Sequence, residues 1–439
     1  MAADNRQLGF WMTMALVVGG MIGSGIFMLP VSLAPFGANA ILGWIVSGLG
    51  AISLAFALGR LARQGGHGIQ VYIERAFGPF VAFLATFAFW VSVWAANAAV
   101  AISAAAATAR MVPALAGASN IAFTAIGFIL FLPLTNALGA RATGRMAVVT
   151  TVIKILPLVA VIVVALQVRN TGGTLAPLAA LPVTLDNIAA ATALTLFALL
   201  GFETAVAPVD KIRDPERVIP RATVGGTAFV AILYLFTSTA ILLLLSAQAV
   251  TASSSPFADA IARGWGESGA LFAAFGIAVA GFGYVNGGVM VAGELAYSMA
   301  LRRELPAALV RTRHGNAPVN AQLVSSALAI LLVVANLSKT TADLFTFMAL
   351  LTTSATLWLY LAAALAALKQ RPGWLARLVI LAGLAFTAFA FYGSGLEANV
   401  WSAALLAVGA GLYALSRRFN ALAATPPAAA PAALPGSSA

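Results

Sequence analysis

Apolar runs of roughly 20 residues with few charges recur along almost the whole chain, and a run of that length matches the hydrocarbon core of a bilayer as a helix. About twelve such spans are read near 10–37, 40–62, 79–109, 119–138, 146–168, 185–208, 222–248, 268–300, 319–337, 341–368, 376–394 and 398–416. In hydrocarbon each peptide N–H and C=O needs an internal partner, so every run must be helical except where backbone lines a cavity. The 439 residues are 62% hydrophobic and 8% charged, more apolar surface than a soluble domain can hide. The predicted fold class is an all-α integral membrane protein, with residues 1–418 as one membrane domain.

The basic residues fall unevenly on the connections. Arg6, Arg60, Arg63, Arg75, Arg141, Arg145, Lys211, Arg213, Arg217, Arg221, Arg302, Arg303, Arg311, Arg313, Lys369, Arg371, Arg377, Arg417 and Arg418 share one side. Only Arg110, Arg169, Arg263 and Lys339 lie on the other. This bias places both termini in the cytoplasm and accounts for the net charge of +11 as topology, with no nucleic-acid partner. There is no cysteine, and His67 and His314 sit in polar loops, so thiol chemistry and a multi-histidine metal site are excluded and no cofactor is expected. The N-terminal "MAADNRQLGF" lacks a cleavable signal pattern, so the first span is expected to be retained. Residues 419–439, rich in Ala and Pro, are expected to be disordered.

The first span carries "GGMIGSGIFMLP", with Gly19, Gly20, Gly23 and Gly25 around Ser24. Each glycine weakens a helix by roughly 1 kcal/mol relative to alanine. Gly19 and Gly23 have the spacing of a helix-packing motif, but the density of glycines favours a break. A helix unwound there frees N–H groups at the start of its second half, and these, with the Ser24 hydroxyl, suit a substrate carboxylate. Five spans later "LTLFALLGFETAVAPVDK" offers a second break, at Gly201, Glu203 and Pro208. Carbonyls freed there, such as those of Phe197 and Leu200, suit an ammonium group. Breaks in spans one and six imply inverted repeats of five helices, about 10–168 and 185–368, with peripheral helices at about 376–416.

Ionisable groups inside spans are functional candidates. Glu203, directly after the second break, is a candidate proton carrier or gating contact. Lys154, three residues before Pro157 in an apolar setting, can exchange a proton if it faces inward, or snorkel if the span begins later. Glu294 is expected near the cytoplasmic end of span eight, paired with a basic loop residue. In span three, Phe89, Ser92, Val93, Ala96 and Asn97 share a helical face that can wall a pocket, with an interhelical hydrogen bond as the alternative for Asn97. An intramembrane enzyme would need paired catalytic groups at depth, and no aspartate or histidine is placed there.

The segments "GGMIGSGIFMLP", "GHGIQVYIERAFGPF", "LFALLGFET…PVDKIRDPERVIPRA" and "VAGELAYSMALRRELP" resemble the amino acid–polyamine–organocation transporters, and most closely the bacterial arginine/agmatine and putrescine/ornithine antiporters. The resemblance implies a leucine-transporter-like fold in the bacterial inner membrane, transport of amino acids or amines by exchange or proton coupling, and a possible homodimer. By motif, Ser24 and Gly25 would bind the carboxylate, and the Phe197 and Leu200 carbonyls the α-amino group. Gly20, Met21, Gly23, Ala198 and Gly201 would complete the breaks, with Ser92, Val93 and Asn97 along the side-chain pocket. Glu203 and Tyr360 would serve gating and proton-linked steps, and the Lys154 ammonium would stand where related transporters hold sodium.

Lys154 stands where the arginine antiporters have a small or apolar residue, as in proton-coupled, sodium-independent members, and four pocket positions also depart. Phe197 stands for a tryptophan, Phe89 for a tyrosine, Gly20 for an asparagine, and Gly288 for a span-eight aromatic residue. Losing aromatic faces removes cation–π attraction, about 0.5–2 kcal/mol per contact. A neutral or bulky apolar amino acid therefore suits the site, with a cationic amino acid or polyamine antiporter as the alternative.

Overall fold

The computed structural model describes residues 8–23, 25–63, 68–136, 140–203, 212–312 and 318–424. Span one is two helices, α1 (Phe10–Met21) and α2 (Gly25–Leu33). They are followed by α3 (Ala38–Ala62), the short amphipathic α4 (Ile69–Phe77), α5 (Pro79–Met111), α6 (Ala118–Asn136) and α7 (Ala140–Asn170). The second half holds α8 (Leu185–Leu199), α9 (Pro215–Leu244), α10 (Ala247–Ala252), α11 (Pro256–Leu301), α12 (Val319–Val334) and α13 (Thr341–Lys369). Last come α14 (Trp374–Gly393) and α15 (Gly395–Ala424). Among the described residues eight helices are long and apolar enough to cross a membrane; the bent pair in span one and the shorter apolar helices in α6, α8 and α12 occupy the other predicted positions. The chain is an all-α, multi-pass membrane protein.

One difference from the predicted spans has a local cause. Span eight is the second part of α11, which bends at Gly266 (φ 65°, ψ −164°), a left-handed position open to glycine at little cost. Its first part, from Pro256, lies on the rest of the protein rather than continuing the span. Phe257 meets Phe27 of α2 edge-on at 4.8 Å. Arg110 at the end of α5 pairs with Glu267 at 2.8 Å and lies 3.7 Å from Asp259, bracketing the bend. Span six stops as a helix at Leu199, beside the break expected at Gly201.

The packing scheme repeats between the halves. Spans two and seven (α3, α9) pack together, as do three and eight (α5, α11), and each pair maps onto itself when the first five spans are exchanged for the next five. Span one packs on seven as two packs on six. Three packs on ten as five packs on eight, and three on four as eight on nine. This is the leucine-transporter-like arrangement, with both broken spans at its centre. Helix α8 is buried on nearly every side, as expected for a helix that is apolar all round. By contrast α14 and α15 expose Trp374, Leu375, Leu378, Leu396, Val400 and Trp401, the surface of helices facing lipid.

At the face carrying the start of the chain, Leu8 and Ile212 form a β-bridge, and the Arg213 N–H donates to the Leu8 carbonyl at 2.9 Å. Helix α4 is clamped on the same face. Arg302, just past α11, donates to Glu74 and, at 3.1 Å, to Glu304. Gln70 donates to Glu304 at 3.0 Å. Lys369, ending α13, donates to the Ala76 carbonyl at 2.7 Å and lies 4.2 Å from the centre of the Phe77 ring.

Burial holds the Glu304 carboxyl above its ordinary value of 4.5; Glu74 adds to this, while Arg302 and Gln70 oppose it. The folded chain therefore keeps a proton there that the unfolded chain has lost. That stabilisation is present below the unfolded value and drains away as pH rises from about 4.5 through the raised folded value. Glu304→Gln should remove part of the fall in melting temperature over that window. An unchanged pH slope would show that Glu304 does not hold the extra proton.

Candidate functional site

Helix α1 ends at Met21 because Ile22 leaves helical geometry (φ −77°, ψ 89°), and the chain resumes as α2 at Gly25 with a bend of 49°. The carbonyls this frees have partners. The Gly19 carbonyl accepts from the Lys154 ammonium of span five at 2.5 Å. The Met21 carbonyl accepts from the Tyr234 hydroxyl of span seven at 3.1 Å and from the Gly23 N–H at 2.9 Å.

The second break starts at Leu200 and turns at Gly201, whose φ of +113° strains any residue with a Cβ. A Cβ on Gly201 would lie 2.6 Å from the Gly20 carbonyl oxygen. The two interruptions are thus in direct contact, and glycine is required at 201 both for its φ and for this approach. Glu203 is 7% exposed. Its carboxylate accepts from the freed Gly201 N–H at 3.2 Å and from the Tyr360 hydroxyl of span ten at 2.8 Å. Phe202 stacks on the Tyr360 ring at 5.0 Å.

Gly23 and Gly25 answer a different need from Gly201. Neither has a positive φ, but each faces an aromatic ring. A Cβ on Gly25 would lie 2.6 Å from a Phe197 ring carbon, and one on Gly23 would lie 2.6 Å from a Tyr284 ring carbon. Both are glycine because rings from spans six and eight close on the backbone there. Ser24, between them, lies outside the described residues, as does Pro208.

The remaining sequence candidates divide. Phe197 and Ala198 are buried, Leu200 is half-buried, and the Phe197 carbonyl accepts from the Leu200 N–H at 3.3 Å. Ser92 turns onto its own helix, donating to the Phe89 carbonyl at 2.7 Å, while Phe89 and Val93 keep partial exposure. Asn97 is buried with no partner for its Oδ1 among the described residues, and a Cβ on Gly288 would lie 1.9 Å from that atom. Gly288 thus makes room for the Asn97 amide. Lys154 is 5% exposed and makes no ion pair among the described residues, which favours the inward position over snorkelling. Glu294 is exposed and likewise without an ion pair among the described residues, unlike the pairing expected for it. Tyr234, Tyr284 and Phe345, which meets Phe197 edge-on at 5.7 Å, were not anticipated. The available signal was a hydroxyl-bearing aromatic inside an apolar run, as in "GYVNGG".

Two touching helix breaks, each held by side chains from neighbouring spans, form a polar centre in an apolar bundle, and the sequence profile described as amino acid permease matches residues 8–417. The chain belongs to the amino acid permease family. It is similar to the putrescine transporter PotE of Escherichia coli (strain K12), with 28% identity over 439 residues, 95% of this chain and 98% of that protein. It is similar to the serine/threonine exchanger SteT of Bacillus subtilis (strain 168), with 29% identity over 69% of each chain. A putative arginine/ornithine antiporter of the same bacterium is 28% identical, over 83% of this permease and 85% of its own length.

For this permease, Gly201→Ala must add strain of about 1–3 kcal/mol and a collision with the Gly20 carbonyl. Gly225→Ala, in a helix with open space beside it, is the control. Melting in detergent should show Gly201→Ala several degrees lower and Gly225→Ala near the parent. Equal melting temperatures would refute the contact between the breaks.

Proposed function

We propose that this permease is a sodium-independent secondary transporter of amino acids that works by alternating access, coupled to protons or to exchange. Both termini face the cytoplasm, in keeping with the excess of basic residues on that side. The carrying observation is the contact between the Gly20 carbonyl and Gly201, which brings two frayed helix ends to one point. The N–H groups of Ser24 and Gly25, with the Ser24 hydroxyl, take the substrate carboxylate. Carbonyls at 197–200 take its ammonium group. The repeats run over about 10–168 and 185–368, with 376–416 peripheral.

Lys154 links span five to the first break, so its protonation state bears on that break directly. While charged it holds the Gly19 carbonyl; on losing its proton it loses a charge-assisted bond and frees the break to move. A fixed ammonium in this place also removes the need for a bound sodium ion. Glu203 and Tyr360 make the matching link between spans six and ten.

The substrate reading is a neutral or bulky apolar amino acid, supported by Phe197, Gly20 and Gly288 at positions where cationic substrates are better served by polar or aromatic groups. A cationic amino acid or polyamine antiporter is the second reading, favoured by the putrescine and arginine/ornithine activities in the names of two relatives.

Uptake into proteoliposomes, driven by a proton gradient or by internal substrate, tests both across neutral amino acids, arginine, ornithine and putrescine. Ser24→Leu should abolish binding by filling the break. Lys154→Ala should lose the pH dependence of transport and remain folded. No uptake of any of these compounds would overturn the proposal, and unaltered pH dependence in Lys154→Ala would leave the lysine a structural anchor.

A further inference from the structure

The tyrosines around the breaks do not have equivalent surroundings. The Tyr234 hydroxyl is spent on the Met21 carbonyl and the Tyr360 hydroxyl on Glu203. Tyr284, in span eight, is half-buried and within electrostatic reach of Glu203, yet its hydroxyl makes no hydrogen bond among the described residues. Its ring lies on Gly23, with Cδ2, Cε2 and Cγ at 2.6, 2.9 and 3.2 Å from where a Cβ would stand. On the other side of residue 24 the Phe197 ring lies on Gly25 in the same way. Two rings from different spans therefore lie on the first break, one at Gly23 and one at Gly25.

A phenol hydroxyl in an apolar bundle with no partner among the described residues is costly unless another group, water or a ligand takes the bond. We propose that Tyr284 is a substrate-contacting, specificity-determining residue. Its hydroxyl bonds the polar head of the substrate, and its ring, with that of Phe197, sets the width of the approach to the first break beside Gly23 and Gly25. The inference rests on the first break being the substrate site. It adds a side chain from outside both breaks, and it makes the limit on substrate size a matter of two rings.

The test has a geometric arm and a ligand arm. Gly23→Ala should lower the melting temperature in the parent, because the methyl group meets the ring, and should be largely relieved when combined with Tyr284→Leu. Additive effects would mean that the ring is not on Gly23.

The ligand arm measures apparent affinities of the purified protein for serine, phenylalanine, arginine and putrescine by thermal shift. Tyr284→Phe should weaken whichever of these the parent binds by about tenfold, the effect of one hydrogen bond to a charged group, with an unchanged melting temperature without ligand. In transport the same variant should raise KM more than it lowers kcat. Tyr284→Ala should shift preference from the smaller toward the larger side chain. Parental affinity in Tyr284→Phe, together with an unchanged order of preference in Tyr284→Ala, would overturn the assignment while leaving the break as the site. A parent that binds none of the four would overturn the assignment and the transport reading together.

Discussion

An interrupted helix in hydrocarbon must find partners for the peptide groups it frees, and in this permease the two interrupted helices find them around one point. Gly201 can take its left-handed turn against the Gly20 carbonyl only because it has no side chain. Around that contact Lys154 caps Gly19, Tyr234 caps Met21, and Glu203 caps Gly201. An uncapped amide or carbonyl here would cost on the order of 1–3 kcal/mol. Lys154 and Tyr234 also join the first break to spans five and seven, and Glu203 joins the second to span ten through its bond from Tyr360. The same bonds that make the interruptions tolerable therefore make them sensitive to how those spans sit.

That sensitivity suits the alternating access proposed for this permease. In the proposed cycle, a change in protonation of Lys154 or Glu203, or a ligand competing for the freed N–H groups, would alter the partners of the broken helices and so the balance between conformations. The faces of the bundle are fastened more conventionally. Arg302, Glu74, Glu304 and Gln70 hold α4 at one, and Arg110 with Asp259 and Glu267 braces the bend of α11 at the other. These surface links are individually modest, and they can be broken and remade at low cost.

Much of this was legible in the sequence. Length and hydropathy gave the spans, and the density of glycine in "GGMIGSG" together with "GFET" located both breaks. Glu203 and Lys154 stood out because a charge at membrane depth is expensive. What the sequence did not reveal was why each glycine is there. Gly201 serves a backbone angle, Gly23 and Gly25 make room for rings, and Gly288 makes room for the Asn97 amide. Those reasons depend on residues distant in the chain, so no local pattern encodes them. Tyr284 was passed over for the same reason: in a span of apolar residues nothing marks which aromatic ring meets the break.

The central claim is that the touching breaks hold the substrate, and a substrate-bound structure in lipid nanodiscs tests it most directly. Density for an amino acid or amine lying between residues 23–25 and 197–201, beside Glu203, is the expected result. Ligand density elsewhere, with the breaks unchanged and still capped only by the protein's own groups, would contradict the account.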